Sequence, residues 1–149
     1  MPTRAQLKLA CERLFRRSGG STSRSGVFDD LSATLRQAVA TSAGFSESEL
    51  PVVASVSSVD QWVVATTDNV ISCDDGVVTK VPLAEIEDVR SLLLEDGNSG
   101  RDDTIVLVTG AGRYELRIEP GYPLGGMWNV LRRLQRTWGA TAGKQSDER

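Results

Sequence analysis

The stretch from Trp62 to Val89 constrains the fold more than any other part of the chain. Short runs rich in β-branched residues alternate there with turn residues, first at Asp68-Asn69 and then at Asp74-Asp75-Gly76. Such runs, separated by tight turns, are typical of antiparallel strands joined by hairpins. The sequence therefore predicts a β-sheet domain, which the rest of the chain must complete or cover.

Seven antiparallel strands are predicted in total. They cover residues 52–57, 62–67, 70–73, 77–82, 86–94, 104–109 and 113–118. The segment from Glu119 to Pro123 then breaks the sheet, and an apolar stripe predicts a closing helix over residues 124–138. This order of elements predicts an α+β fold, in which the C-terminal helix covers one open end of a bent sheet or partly open barrel.

Two helices are predicted ahead of the sheet. The first covers residues 3–17, where Thr3 and Gln6 match a capping box and apolar residues recur on one face. The second covers residues 29–42, with Asp29 or Asp30 as its N-cap and Gly44 just past its end. The predicted organisation is a basic amphipathic helix with a flexible Ser/Gly-rich linker (1–26), a helical lead-in (27–50), the sheet domain (51–138) and a disordered tail (139–149).

Charge is unevenly distributed along the chain. The net charge is −3, which predicts no strong attraction to nucleic acid, yet residues 1–26 carry six basic residues and one acidic residue. Two interpretations stay open: the basic arm folds back on the acidic body, or it contacts an anionic partner. The candidate binding residues lie on the first and last helices: Arg4, Lys8, Arg13, Arg16, Arg17, Arg132, Arg133 and Arg136.

The residues from about 50 to 138 resemble bacterial pleckstrin-homology-like (PH-like), GRAM-related domains. The matching pattern is an apolar strand Val63–Thr67, a turn, the strand Val70–Cys73, the step Val81-Pro82-Leu83-Ala84-Glu85-Ile86, and a closing helix anchored by Trp128. The resemblance implies a PH-like sheet of seven strands closed by a C-terminal helix. It also implies a binding scaffold rather than an enzyme.

Some PH domains bind phosphoinositides through basic residues in and around the loop that joins the first two strands. The corresponding loop here, Ser57 to Gln61, has no basic residue and one acidic residue. Several cations are needed to hold a multivalent phosphate. The resemblance therefore favours protein binding over recognition of a lipid headgroup.

Enzymatic chemistry has little support in the sequence. The chain has no histidine, which removes the usual Ser-His-Asp, Cys-His and zinc arrangements, and Cys11 and Cys73 are predicted to be buried apolar residues. The loop from Glu95 to Asp103 contains oxygen ligands for Ca²⁺, but it lacks EF-hand spacing, and a solvated loop is the favoured interpretation. No catalytic residue, metal ligand or cofactor is predicted.

Three functional hypotheses follow. The first is a non-enzymatic cytoplasmic module that binds a protein partner, or a second copy of itself, through the N-terminal helix. The second is a peripheral membrane module, in which the basic helix 3–17 lies on an anionic membrane surface. The third is an enzyme of an unrecognised type. No small-molecule substrate is predicted, and no apolar run approaches the ~20 residues that a membrane-spanning helix needs.

Overall fold

The computed structural model of the protein describes residues 2–91 and 102–138. These residues form α1 (Arg4–Arg17), β1 (Ser25–Val27), α2 (Ala33–Ala43), β2 (Pro51–Ser58), β3 (Gln61–Thr66), β4 (Asn69–Asp74), β5 (Val77–Pro82), β6 (Ile86–Ser91), β7 (Thr104–Thr109), β8 (Gly112–Arg117) and α3 (Tyr122–Trp138). Short 3₁₀ turns at Phe28–Asp30 and Leu83–Glu85 precede α2 and β6. The predicted α+β class is confirmed.

The strands form two antiparallel sheets, with the order β1-β2-β3-β4-β5 in the first and β6-β7-β8 in the second. The prediction of seven strands is wrong, because the described residues contain eight. The additional strand β1 spans the boundary between the predicted linker, which ends at residue 26, and the predicted helical lead-in. Its Ser25 and Val27 pair with Ser55 and Val53 of β2. Within residues 2–91 and 102–138 the two sheets do not close into a barrel.

The ends of the N-terminal helices are set by local hydrogen bonds. The capping box of α1 is present, since Thr3 Oγ1 accepts from the Gln6 N–H and the Gln6 side chain accepts from the Thr3 N–H. Gly44 ends α2 in the left-handed conformation, as its position predicts. The predicted cap of α2 is wrong: Ser32 caps the helix instead of Asp29 or Asp30, which belong to the preceding 3₁₀ turn.

Some predictions fall on residues that the structure does not describe. These are residues 92–94 of the predicted fifth strand, most of the acidic loop Glu95 to Asp103, and the tail 139–149.

The five-stranded sheet is covered on both of its faces. One face packs on the second sheet, α1 and α3, and the other face packs on α2 and the Phe28–Asp30 turn. This double coverage explains why β2 and β3 are nearly continuous apolar runs instead of alternating ones, since side chains on both faces leave water. The lead-in helix α2 is therefore one layer of the same domain.

Helix α1 is part of the main core. Its residues Leu7, Cys11 and Phe15 are fully buried and belong to the same cluster as residues of α3 and β2. The Phe15 ring lies between two glycines: a Cβ atom added at Gly20 or Gly126 would lie 2.8 or 2.9 Å from it. These glycines permit the close approach of α1 and α3, which a larger residue would prevent.

A buried carboxylate fixes the turn where α1 begins. Glu49, which is only 3% exposed, accepts hydrogen bonds from the Thr66 hydroxyl, from the Asn69 amide at 2.8 Å and from the Ser46 N–H at 2.8 Å. Burial alone would raise the pKa of Glu49, but these hydrogen bonds and the nearby Lys80 outweigh burial and lower the pKa. Glu49 is therefore held as a carboxylate.

The same turn anchors α1 through Asp68. The Arg4 guanidinium forms a forked ion pair with Asp68, with Nε–Oδ1 at 2.9 Å and Nη2–Oδ2 at 2.8 Å. The hydrogen bond from Arg4 is the main cause that lowers the pKa of Asp68. The Glu49 contacts thus shape the β3–β4 turn, and that turn holds the first residue of α1.

Two neighbouring glycines of α3 provide a matched test of helix packing. Gly126→Ala places a methyl group against the buried Phe15 ring, and we expect it to lower the free energy of unfolding by about 1–2 kcal/mol. Gly125→Ala meets no atom within 4 Å, and we expect it to raise that free energy by up to about 1 kcal/mol through helix propensity. Urea denaturation of both variants measures the difference. Equal gains in both would contradict the tight α1–α3 contact.

The lowered pKa of Glu49 predicts a definite pH dependence. Because the folded-state pKa lies below the unfolded value of about 4.3, Glu49 stabilises the fold above that pH, and this contribution disappears as pH falls through the folded-state pKa. We expect Glu49→Gln to lower the free energy of unfolding by about 1–3 kcal/mol near neutral pH, because an amide would face hydrogen-bond donors. We also expect the free energy of unfolding of this variant to depend less on pH in the acid range. Glu47→Gln, an exposed neighbour, is the control. Urea denaturation across the acid range measures the free energy of unfolding at each pH. If both variants show the same pH dependence as the parent protein, Glu49 does not have this role.

Candidate functional site

A groove between α1 and α3 gathers half of the predicted cations. It is lined by Ala10, Arg13, Arg16 and Arg17 of α1 and by Arg133 of α3, and its volume is about 520 Å³. We call these five residues the basic groove. Every charged group that lines it is a guanidinium.

The basic groove, at about 520 Å³, is larger than the cavity beside Arg4, at about 190 Å³, and the cavity beside Arg24, at about 250 Å³. Helix periodicity explains its lining, since Arg13, Arg16 and Arg17 are three and four residues apart and share one side of α1. The small side chain of Ala10 leaves the space open. The packing of Phe15 on Gly126 behind the groove brings α3, and with it Arg133, close to α1.

Most of the charge in the groove is uncompensated. Arg16 is paired with Asp30, with Nη2–Oδ2 at 3.0 Å. In contrast, Arg13, Arg17 and Arg133 make no ion pair or side-chain hydrogen bond within residues 2–91 and 102–138. Three neighbouring guanidinium groups without counter-ions form a surface that favours an anionic ligand, because each offers forked donors that match carboxylate oxygens.

The thiol next to the groove is not a chemical site. Cys11 is fully buried beneath α1, and burial is the main cause that raises its pKa to about 11, although the charge of Arg133 acts in the opposite direction. The thiol is therefore protonated at neutral pH and is a poor nucleophile and metal ligand. Among the described residues, no group of three or more His, Cys, Asp and Glu side chains is placed to hold a metal ion.

The other predicted cations lie apart from the groove. Arg4 is paired with Asp68, while Lys8 contacts Glu12 at 2.7 Å, Asp29 at 3.0 Å and the Pro51 carbonyl at 3.0 Å. On α3, the Arg132 guanidinium lies 4.8 Å from the centre of the Trp128 ring, and Arg136 is exposed. The eight predicted residues therefore do not form one site.

The counter-ions of α1 are residues that the sequence analysis did not select. Asp30 and Asp68 bind Arg16 and Arg4, and Asp29 binds Lys8. The basic composition of α1 beside an acidic body was the available signal, and it left open whether the arm folds back. Some cations of α1 are paired with the body, as the first interpretation expects. Contact of the arm with an anionic partner stays a prediction.

A second surface lies at the tips of the β2–β3 and β4–β5 hairpins. The Gly76 N–H donates to the Asp60 carbonyl at 3.1 Å and joins the two turns. We call Val59, Asp60, Asp74, Asp75, Val77 and Val78 the hairpin tip. Asp75 and Gly76 both have positive φ, at 51° and 82°, which the tight Asp-Gly hairpin turn requires. The sequence predicted this turn but not its exposed apolar residues.

Two further observations bear on the functional hypotheses. Among the described residues, no helix is both long enough and apolar enough to cross a membrane. No family model, curated protein or solved structure matches the chain, so any function must be argued from its own residues.

Proposed function

We propose that the chain is a non-enzymatic binding module of PH-like architecture whose basic groove takes an acidic segment of a protein partner. The observation that carries this proposal is the set of free guanidinium groups of Arg13, Arg17 and Arg133 around one concave surface. They face solvent on a chain whose residues outside the N-terminal arm carry an excess of acidic groups. The expected cytoplasmic location stays a prediction.

The order of elements supports the PH-like part of the proposal. Strands β2 to β5 run as one antiparallel meander, β6 to β8 run as a second, and α3 follows them. This is the order expected from the resemblance, with β1, α1 and α2 as additions. The loop between β2 and β3 carries Asp60 and no cation, so it does not supply a phosphoinositide site.

A protein segment fits the groove better than a membrane surface does. The apolar stripe of α1 is buried in the core through Leu7, Cys11 and Phe15, so the helix cannot insert that stripe into a bilayer. The guanidinium groups also line a concave space between two helices, which an extended chain can enter. Electrostatic contact with an anionic membrane is the alternative, and an enzyme of an unrecognised type is the weakest of the three hypotheses.

A fluorescein-labelled oligoglutamate peptide is a suitable probe of the groove. We expect the protein to bind it in an anisotropy titration, and to bind less tightly as salt rises, because exposed ion pairs are screened. The variant Arg13→Gln/Arg17→Gln/Arg133→Gln should weaken binding by about fivefold to a hundredfold, since three exposed pairs at a few tenths of a kcal/mol to one each are lost.

A variant with the same change in net charge is the control. Arg24→Gln/Arg113→Gln/Arg117→Gln removes three exposed arginines outside the groove and should bind nearly as tightly as the parent protein. Equal losses in both variants would show a general charge effect and sink the proposal. Flotation with anionic vesicles, in the absence of peptide binding, would favour the membrane alternative instead.

A further inference from the structure

We propose that the acidic partner is a second copy of this chain, whose hairpin tip docks in the basic groove. The inference rests on the proposed function, because it needs the groove to bind acidic protein segments. It adds the identity of the partner and a head-to-tail mode of assembly.

The hairpin tip is the main exposed apolar surface of the described residues. Within residues 2–91 and 102–138, five large apolar side chains are exposed. Three of them belong to the tip: Val59 at 65%, Val77 at 67% and Val78 at 40%. They flank the hydrogen bond that joins the two turns. Exposed apolar residues grouped in this way, with charged residues around them, are typical of interaction surfaces.

The charges of the two surfaces are complementary. Within the described residues, Asp60, Asp74 and Asp75 of the tip make no ion pair. Three arginines of the groove, Arg13, Arg17 and Arg133, also make none there. Hydrogen bonds hold the two turns together at Asp60, whose carbonyl accepts from the Gly76 N–H at 3.1 Å and from Cys73 Sγ at 3.4 Å. Three free carboxylates thus match three free guanidinium groups, which favours association of unlike surfaces.

An exposed apolar residue of α1, outside the lining of the groove, offers a contact for the valines of the tip. Leu9 of α1 is 46% exposed and lies four residues before Arg13, so the two side chains share one side of the helix. Each surface therefore combines apolar and charged groups, with opposite sign of charge. An oligoglutamate chain would satisfy only the charges, whereas a second hairpin tip would satisfy both.

The two surfaces are not paired within one chain. Among the described residues, no ion pair or side-chain hydrogen bond joins Asp60, Asp74 or Asp75 of the tip to an arginine of the groove. Since each copy would present one tip and one groove, the contact is heterologous and builds chains or rings.

Sedimentation measurements on two neutralised variants test the proposal. The groove variant is Arg13→Gln/Arg17→Gln/Arg133→Gln, and the tip variant is Asp60→Asn/Asp74→Asn/Asp75→Asn, in which Asn tolerates the positive φ of residue 75. We expect the parent protein to grow in mass with concentration at about 0.05 M salt and to dissociate at about 0.5 M. Each variant alone should associate about fivefold to a hundredfold more weakly.

The mixture of the two variants gives the decisive measurement. The tip variant keeps an intact groove and the groove variant keeps an intact tip, so a mixture should form dimers and stop there, because the second contact of each dimer is disabled. A parent protein that stays monomeric at low salt, a tip variant that assembles like the parent, or a mixture that stays monomeric would each overturn the proposal. Circular dichroism of both variants confirms that they are folded.

Failure of this inference can be distinguished from failure of the proposed function. If the parent protein is monomeric but binds oligoglutamate through the groove, the second copy is not the partner and the proposed function stands. If oligoglutamate binding is also absent, both fail. The tip variant should bind oligoglutamate at least as tightly as the parent does, because its groove is intact and no tip competes for it.

Discussion

The packing of Phe15 against Gly20 and Gly126 is the contact on which the rest of the structure depends. It brings α1 onto α3 at a distance that no residue with a Cβ atom allows without rearrangement. An N-terminal helix that looks detachable in the sequence is thereby part of the main core. The basic groove exists only because this contact places Arg133 opposite the arginines of α1.

The fold divides the basic residues of α1 into two groups with different roles. Arg4, Lys8 and Arg16 bind Asp68, Asp29 and Asp30 of the acidic body and fix the position of the helix. Exposed pairs of this kind contribute little stability singly, so burial of the apolar stripe provides most of the binding of α1 to the body. Within the part of the chain that the structure describes, Arg13 and Arg17 have no such partner.

Local signals in the sequence were sufficient for parts of the fold. The capping box at Thr3, the glycine at position 44 and the Asp-Gly turn at residues 75 and 76 depend on neighbouring residues, and all three are present. Strand β1 was missed because three residues carry no measurable periodicity and the pairing with β2 is long-range. For the same reason the sequence identified the cations but not which of them are free, since that depends on distant Asp30 and Asp68.

If the groove takes the hairpin tip of a second copy, self-association and binding of any other acidic protein use the same guanidinium groups. The two events then exclude each other at each groove. By thermodynamic linkage, binding of an acidic partner lowers the affinity between copies by the same factor as binding of a second copy lowers the affinity of the groove for that partner. Such a partner does not bind the free hairpin tip at the end of an assembly. Its concentration therefore changes the length of the assembly through the groove alone.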